Sequence, residues 1–301
     1  GQTTAAGRLE QQLSRIIGHM PWSRNRKTSA GTADPAVAGA QLSGTTTPIK
    51  TGAARPRCGT CILRPHCLPA GLAPEPLRKF ENMVQHFATL APGEHLFRVG
   101  DTFHSLYAVR TGCLKTCAVD PNGREHVLNF HFVGEIIGID AIFPEQHFAD
   151  AIALVESSVC HLPYRAISQF AREVPELQVQ LVRALSRHVF SMTSISGDFS
   201  AEERLAAFLI MVSARHRLAG GGSTELQLAM SRQDIANYLR LATETVSRIL
   251  ARFQKSGLLQ ANRRQITLLN PDGLYAIAEC MNPYSRGGIN RRRPDKDATR
   301  S

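Results

Sequence analysis

Residues 231–255 read SRQDIANYLRLATETVSRILARFQK, a pattern that predicts two short helices joined by a tight connection. Ser231, followed three positions later by Asp234, is typical of the capping box that begins a helix. We expect the connection at 240–242 to lead into a second helix, which Thr243 caps and which runs to about Lys255. Two short helices joined by about three residues form the helix-turn-helix pattern, so this stretch predicts a DNA-binding unit.

The second predicted helix has one apolar face and one polar face. Its apolar side chains recur at i, i+3, i+4 and i+7 and form one stripe, Val246, Ile249, Leu250 and Phe253. The side chains that we expect to contact DNA lie on the other side: Glu244, Ser247, Arg248, Arg252 and Lys255. A recognition helix needs this division, because one side packs on its own domain while the other enters the major groove.

Each polar side chain of this helix suggests a role. Arg248 can donate two hydrogen bonds to guanine, and Glu244 can accept one from a cytosine or adenine amino group. Ser247 can contact several base edges, whereas we expect Arg252 and Lys255 to meet phosphates. An ordinary amphipathic helix has similar faces, but the cap, the preceding short helix and a predicted downstream hairpin favour DNA.

Short strands punctuated by turns are predicted upstream, between residues 94 and 162. Runs rich in apolar residues at 95–99, 105–109, 114–119, 127–132 and 151–162 end at turn residues. The strongest turn signal is Asp120-Pro121-Asn122-Gly123, which predicts a hairpin. Regular short strands indicate an antiparallel barrel or jelly roll. A further hairpin with a basic tip is predicted at 258–269, after the two helices, and resembles a wing.

A long helix is predicted after Pro175. It carries an apolar stripe with a period near 3.5 residues, which is what one helix offers another in a coiled coil: Leu181, Val182, Leu185, Val189, Met192 and Ile195. The alternative is a helix that packs on its own barrel. We expect a dimerisation helix.

Three of the seven cysteines lie close together. Cys58, Cys61 and Cys67 form C-x2-C-x5-C within ten residues, a spacing that favours a bound metal. Zinc would need a fourth nearby ligand, whereas an iron–sulfur cluster often takes its last ligand from far along the chain. The candidates for a fourth thiolate are Cys113, Cys117, Cys160 and Cys280, and spacing does not choose among them.

Composition narrows the class of protein. No apolar run is long enough to span a membrane, and the first twenty residues lack the core of a signal peptide, so we expect a cytoplasmic protein with no membrane partner. The net charge of +10 lies mostly in the tails. The predicted organisation is a disordered extension (1–50), a cofactor-binding loop (51–70), a β-roll sensor domain (71–170), a dimerisation helix (171–198), a winged helix-turn-helix domain (199–282) and a basic disordered tail (283–301).

From about residue 55 to 281 the chain resembles the FNR branch of the CRP/FNR regulators, the fumarate and nitrate reduction regulators. The resemblance rests on C-x2-C-x5-C and on four further stretches: 105–112, 201–208, 243–248 and 252–257. It implies an α+β fold made of an antiparallel β-roll or jelly-roll sensor domain, a long dimerisation helix and a C-terminal winged helix-turn-helix. In that family the fourth cysteine precedes a strand end at proline, as Cys160 does here.

The resemblance also implies a function. It implies a 4Fe–4S cluster on Cys58, Cys61, Cys67 and Cys160, and oxygen sensing through control of dimerisation. It further implies binding of the homodimer to a TTGAT-N4-ATCAA-like palindrome, read by Glu244, Ser247 and Arg248, with RNA polymerase as a partner in an activator of anaerobic genes. The segment before Ala201 is shorter than is usual in this family, and the N-terminal extension is longer.

Two other functions compete with this one. A cyclic-nucleotide sensor would share the barrel, and Gly134-Glu135 resembles the start of its phosphate cassette, but the arginine expected later is replaced by 146–150, Gln-His-Phe-Ala-Asp. A zinc or thiol redox switch would also use the cysteines. An enzyme is the weakest hypothesis, because no nucleophile–base set or phosphate loop is recognisable.

Overall fold

The computed structural model describes residues 57–196, 199–218 and 224–278. All of them belong to the second of the two units into which the chain divides, Pro48–Ser301. The predicted extension at 1–50, the predicted tail at 283–301 and Cys280 lie outside the described residues. Among the described helices, none is both long and apolar enough to cross a bilayer.

The N-terminal half is built from two four-stranded antiparallel sheets, as expected for a β-roll. The first sheet has the order β1-β8-β3-β6 and the second β2-β7-β4-β5. The strands are β1 (Gln85–Leu90), β2 (His95–Phe97), β3 (Ser105–Thr111), β4 (Leu114–Val119), β5 (Glu125–His131), β6 (Ile136–Ile137), β7 (Asp150–Ala153) and β8 (Ser157–Pro163). The hairpin predicted at 120–123 is confirmed, since β4 and β5 pair antiparallel across it.

One predicted strand is wrong in a way that matters for the fold. Residues 151–162 form two strands, because β7 pairs with β2 and β4 in one sheet whereas β8 pairs with β1 and β3 in the other. The chain changes sheets between them, and an apolar run cannot reveal such a change. Gly112 follows β3 at a φ of 81°, and a side chain there would collide with Ser157 at the start of β8.

Helices frame the sheets and form the C-terminal half. Before the sheets lie two short 3-10 turns, Cys58–Thr60 and Arg64–His66, and helix α1 (Pro74–Met83); a third 3-10 turn, Ile139–Ala141, follows β6. After the sheets come α2 (Tyr164–Glu173), α3 (Pro175–Ser196), α4 (Ala201–Leu218), β9 (Glu225–Gln227), α5 (Arg232–Tyr238), α6 (Thr243–Lys255), β10 (Leu259–Asn262), β11 (Gln265–Leu268) and α7 (Pro271–Ile277). The predicted wing is confirmed and extended, since β10, β11 and β9 form a three-stranded sheet.

The apolar core of the C-terminal half continues into the second sheet of the N-terminal half, which we call the sensor half. Phe130 of β5 is 1% exposed, and its ring centroid lies 5.0 Å from that of Tyr238 on α5 and 6.0 Å from that of Phe208 on α4. Cys113 and Val127 belong to the same buried cluster. The β4–β5 hairpin is therefore packed against the helices that carry the DNA-binding motif.

Polar contacts reinforce this boundary. The Lys115 Nζ lies 2.6 Å from the Glu125 Oε1 and 2.9 Å from the Asp234 Oδ1 on α5. The side chain of Asn237 accepts a hydrogen bond from the Val127 amide at 2.8 Å and donates one to the Glu125 carbonyl at 2.5 Å. The side-chain amide of Asn237 thus satisfies two backbone groups of β5. This double contact holds helix α5 in one register against the β4–β5 hairpin.

Candidate functional site

Four cysteine side chains line one cavity between the N-terminal loop and the first sheet: Cys58, Cys61, Cys67 and Cys160. The cavity holds about 410 Å³ of empty space, counted out to its open mouth. The first three cysteines come from the loop with the 3-10 turns, and the fourth comes from β8. The structure thus brings the local triplet and a distant strand residue to the same place.

Backbone contacts position these side chains. Cys160 lies opposite Ala108 of β3 and Phe87 of β1, in the interior of the first sheet. On the loop, the Cys61 amide donates to the Cys58 carbonyl at 3.2 Å, which closes the first 3-10 turn. The Gly59 amide donates to the Glu81 Oε1 at 2.5 Å, so α1 holds the turn between the first two cysteines.

The surroundings of the cavity act on the pKa values of the cysteine thiols in opposite directions. Burial raises the pKa of the Cys58 thiol to about 12, and the neighbouring Cys160 and Glu81 act in the same direction. Burial likewise raises the pKa of Cys67 to about 12 and that of Cys160 to about 11. Arg110 acts in the opposite direction on Cys58 and on Cys160. The thiols are therefore protonated at neutral pH, and a metal would have to displace their protons to bind.

Within the described ranges, no three Cys, His, Asp or Glu side chains are arranged so that they could hold a metal ion as they stand. The two other described cysteines lie away from the cavity. Cys113 is 4% exposed in the C-terminal core, and Cys117 is 1% exposed in β4. Both have the burial typical of small apolar side chains.

The helix-turn-helix begins as the sequence predicts. The Ser231 Oγ accepts from the Asp234 amide at 3.1 Å, and the Asp234 carboxylate accepts from the Ser231 amide at 2.9 Å, which completes the capping box. The predicted cap of the second helix is wrong, because the N-cap of α6 is Ala242 and Thr243 is its first residue. The Thr243 Oγ1 instead donates to the Gln233 Oε1 at 2.8 Å, which ties the two helices together.

The two faces of α6 separate as predicted. Its apolar stripe is buried, with Val246 at 0% and Phe253 at 3% exposure. On the other face the exposed side chains are Glu244, Arg248, Arg252 and Lys255, and Ser247 is half-buried.

Several of these polar side chains already have partners within the chain. The Arg232 Nη1 donates to the Ser247 Oγ at 3.4 Å, and Arg252 forms an ion pair with Glu202 of α4. The Arg248 Nη2 reaches the Thr245 Oγ1 at 3.5 Å. A surface cavity between the start of α4 and α6 is lined by Ser200, Ala201, Glu202, Thr245, Arg248, Ile249 and Arg252.

Helix α3 presents an apolar stripe to solvent. Side chains about half exposed or more lie along it: Val179, Val182, Leu185, Val189 and Met192. Leu181 is half-buried against the core formed with α1 and α2. The backbone of α3 extends through Ile195, whose side chain lies outside the described residues. One side of α3 therefore packs against the core of its own chain, and the other side carries exposed apolar side chains.

In the region that resembles a cyclic-nucleotide cassette, Glu135 and His147 have partners within the chain. The Glu135 carboxylate pairs with Arg215 of α4 and accepts from the Phe132 amide at 3.0 Å. The buried ring of His147 stacks on that of Phe97, with 3.6 Å between centroids. Residues 134–150 contain no Lys or Arg, so this stretch offers no cation for a cyclic phosphate.

Sequence reasoning missed several residues that shape these sites. Arg110 and Glu81 border the cysteine cavity, and Asn237 and Lys115 hold α5 to the sensor hairpin. All four act on partners distant in sequence. Arg110 lies within the 105–112 stretch that carries part of the family resemblance, and Asn237 lies within the helix-turn-helix stretch, but neither pattern indicates these contacts.

Comparisons with known proteins agree with this architecture. Residues 203–277 match the Crp-like helix-turn-helix domain, and residues 87–173 match the cyclic nucleotide-binding domain. Among solved structures, FixK2 from Bradyrhizobium japonicum aligns with a TM-score of 0.58 at 25% identity, over 64% of this chain and 96% of that one. A CRP-family transcriptional regulator from Thermus thermophilus aligns with a TM-score of 0.52 at 21% identity, over 64% of this chain and 96% of that one, and shows the same fold.

Two characterised relatives extend the comparison over most of the chain. The transcriptional activator protein Anr of Pseudomonas protegens is 39% identical over 224 residues, which cover 73% of this chain and 92% of the relative. The fumarate and nitrate reduction regulatory protein of Salmonella typhimurium is 36% identical over 233 residues, which cover 76% of this chain and 93% of the relative. With the β-roll, the long helix and the helix-turn-helix in place, the chain belongs to the CRP/FNR family of DNA-binding transcription regulators.

Proposed function

We propose that this regulator controls anaerobic gene expression and senses oxygen through a 4Fe–4S cluster held by Cys58, Cys61, Cys67 and Cys160. The observation that carries the proposal is that these four side chains line one cavity, although one of them comes from β8 in the middle of the sheet. Two relatives, the transcriptional activator protein Anr and the fumarate and nitrate reduction regulatory protein, support a regulatory function of this kind.

The donor set suits such a group. Cysteine thiolates are the usual ligands of iron–sulfur clusters, and uneven spacing with a distant fourth ligand is common. Because burial raises the pKa values of Cys58, Cys67 and Cys160, loading of the cluster must release protons from these thiols. When bound, the cluster supplies an oxygen-labile cross-link between the loop and the sheet.

The chain's own residues would convert that cross-link into dimerisation. A loop tied to Cys160 is fixed beside the core that α1 and α2 share with the inner side of α3. The outer stripe of α3, including Val182, Leu185 and Val189, would then pair with a second copy as in a coiled coil. A change of about 1.4 kcal/mol in the dimer equilibrium shifts it tenfold, so a modest stabilisation is enough for a switch.

The dimer would place two copies of α6 in successive major grooves. Half-sites one helical turn apart match two-fold symmetry, which fits a TTGAT-N4-ATCAA-like palindrome. Glu244, Ser247 and Arg248 would read base edges, and Arg252 and Lys255 would contact phosphates. RNA polymerase would be the partner at promoters where the dimer activates transcription.

The cluster assignment is tested by anaerobic purification of the full chain, with iron and acid-labile sulfide quantified before and after exposure to air. We expect both elements and a visible absorbance that air removes, together with a shift from dimer to monomer. Cys160→Ala should abolish the visible absorbance and the anaerobic dimer. Cys113→Ala, a control that changes a cysteine outside the cavity, should keep the absorbance and the dimer. Zinc or no metal in wild type, or normal iron in Cys160→Ala, would refute the assignment.

A further inference from the structure

One cation at the cysteine cavity is placed by an irregularity of the sheet. In the pairing of β3 with β8, Ala108 lies opposite Cys160, Val109 opposite Val159 and Thr111 opposite Ser158. The register skips Arg110, which is therefore the extra residue of a β-bulge in β3. Bulges are frequent beside functional sites, where they redirect a side chain. Here Arg110 is exposed and lines the cavity.

The position of Arg110 differs from that of the other cations at the cavity. Arg57 and Arg64 also line it, but they belong to the same loop as the cysteine triplet. Arg110 is anchored in the sheet: the Val109 amide donates to the Glu135 carbonyl at 2.9 Å, and the Val109 carbonyl accepts from the Gly134 amide at 2.8 Å.

The charge of Arg110 reaches both parts of the ligand set. Arg110 lines the cavity together with Cys58 on the loop and Cys160 on β8. A cluster bound by four thiolates carries a net negative charge, because the thiolates outweigh the inorganic core. A fixed cation between loop and strand therefore attracts the assembled site more strongly than it attracts the protonated thiols.

We propose that Arg110 is the fixed counter-charge of the cysteine cavity, a positioning residue that stabilises an anionic four-thiolate cofactor there and slows its loss. The inference rests on the proposed function and deepens it by assigning the residue that balances the charge of the site. The guanidinium is not a ligand; it acts through its charge on the sulfurs.

The test compares full-length wild type, Arg110→Gln, Arg110→Lys and Arg124→Gln after anaerobic reconstitution with iron and sulfide. Iron release to an excess of a strong chelator is followed by loss of visible absorbance, without oxygen. We expect Arg110→Gln to release iron roughly tenfold faster, with a smaller difference at high salt, since the interaction is electrostatic and partly exposed. Arg110→Lys should restore most of the retention. Arg124, exposed in the β4–β5 turn, controls for loss of one positive charge elsewhere.

The outcomes separate the two proposals. If wild type takes up no iron and sulfide, the cluster assignment fails and this inference fails with it. If wild type holds the cluster and Arg110→Gln releases iron at the wild-type rate, or Arg110→Lys is as fast as Arg110→Gln, the counter-charge role is wrong while the cluster stands. Unchanged thermal unfolding of the metal-free variants would show that the difference lies in the loaded site and not in the fold.

Discussion

Lys115 of the sensor sheet and Asp234 of the first DNA-binding helix form an ion pair in which the Nζ–Oδ1 distance is 2.9 Å. The same carboxylate completes the capping box of α5 by accepting from the Ser231 amide. Burial alone would raise the pKa of Asp234, but hydrogen bonds from Ser231 and Lys115 outweigh it and bring that pKa below its ordinary value. One side chain thus both begins α5 and fastens it to the sensor.

Breaking this pair should destabilise the protein measurably. Both side chains are largely buried, at 11% and 15% exposure, so Lys115→Met should lower the free energy of unfolding by about 1.5–3 kcal/mol. Asp234→Asn should have a similar cost. The double variant should lose less than the sum of the two, by about 1 kcal/mol or more, in a double-mutant cycle measured by urea denaturation. Additive losses would show that the pair contributes no coupling.

Asn237 should determine how strongly the Val127 amide of β5 is protected from hydrogen exchange. Asn237→Ala leaves the Val127 amide and the Glu125 carbonyl without their side-chain partner, at a cost of about 2–3 kcal/mol in the free energy of unfolding. Hydrogen exchange at the Val127 amide should accelerate relative to the rest of the hairpin. Asn237→Asp, which keeps the acceptor and loses the donor, should preserve more of that protection at the Val127 amide. Unaltered exchange in Asn237→Ala would contradict the contact.

The stability of the protein should depend on pH through His131. This side chain is 3% exposed, and burial lowers its pKa from 6.5 to about 4. Its hydrogen-bonding partner is the Thr116 Oγ1, at 3.2 Å. The charged and titratable groups that act on it are Glu135 and Asp140, which raise the pKa, and His188 and Arg215, which lower it.

The direction of the pH effect follows from these values. Between pH 6.5 and about 4 the unfolded chain binds a proton at this histidine and the folded chain does not. The free energy of unfolding should therefore fall as the pH falls through this window, by up to roughly 3 kcal/mol. His131→Gln should reduce that slope in denaturant titrations, whereas His104→Gln, at an exposed position, should leave it unchanged. Equal slopes in wild type and His131→Gln would contradict the assignment.

Different residues on the polar face of α6 should determine the sequence specificity and the overall affinity of DNA binding. Arg248→Ala should reduce discrimination against a substituted guanine position by about 1–3 kcal/mol, because a bidentate base contact is lost. Lys255→Ala should weaken binding to all sequences alike and reduce the salt dependence by the equivalent of about one phosphate contact. Fluorescence anisotropy with matched and mutated palindromes at several salt concentrations measures both effects. The assignment of roles would be overturned by an Arg248→Ala variant that keeps its preference for the palindrome.

The exposed stripe of α3 should be needed for pairing and not for folding. Val189 is 51% exposed, so Val189→Glu should change the free energy of unfolding of the monomer by less than about 0.5 kcal/mol. It should nevertheless abolish dimers in anaerobic sedimentation, because a charge cannot be buried in an apolar seam without a partner. Arg187→Gln, which makes the same change in net charge about half a helical turn away, should leave dimers intact. A dimeric Val189→Glu protein would place the interface elsewhere.

Features set by local chemistry could be predicted from the sequence. The bounds of β4 and the hairpin at 120–123, the capping box at Ser231 and the buried stripe of α6 all follow from turn residues and periodicity. Features set by tertiary contacts could not. The split between β7 and β8 depends on which sheet each joins, and Thr243 donates to Gln233 of another helix instead of capping its own.

The cysteine cavity shows the same division. The local triplet was evident from its spacing, but spacing could not choose a fourth cysteine, and only the family resemblance indicated Cys160. Cys160 lies near the loop because β8 pairs with β1 and β3, and this pairing links segments that are far apart in the chain. The place of Arg110 at the cavity is not predictable from the sequence for a similar reason, since a β-bulge is defined by the partner strand.

Val109 forms part of the cavity wall, and its amide is bonded to the carbonyl of Glu135, whose side chain holds Arg215 on α4. The wall that faces the cysteines and the scaffold of the DNA-reading helices are thus separated by one backbone hydrogen bond, one residue and one ion pair. This connection runs inside a single subunit and bypasses α3. Within one chain, a continuous series of contacts therefore joins the wall of the cysteine cavity to the helix that supports the helix-turn-helix.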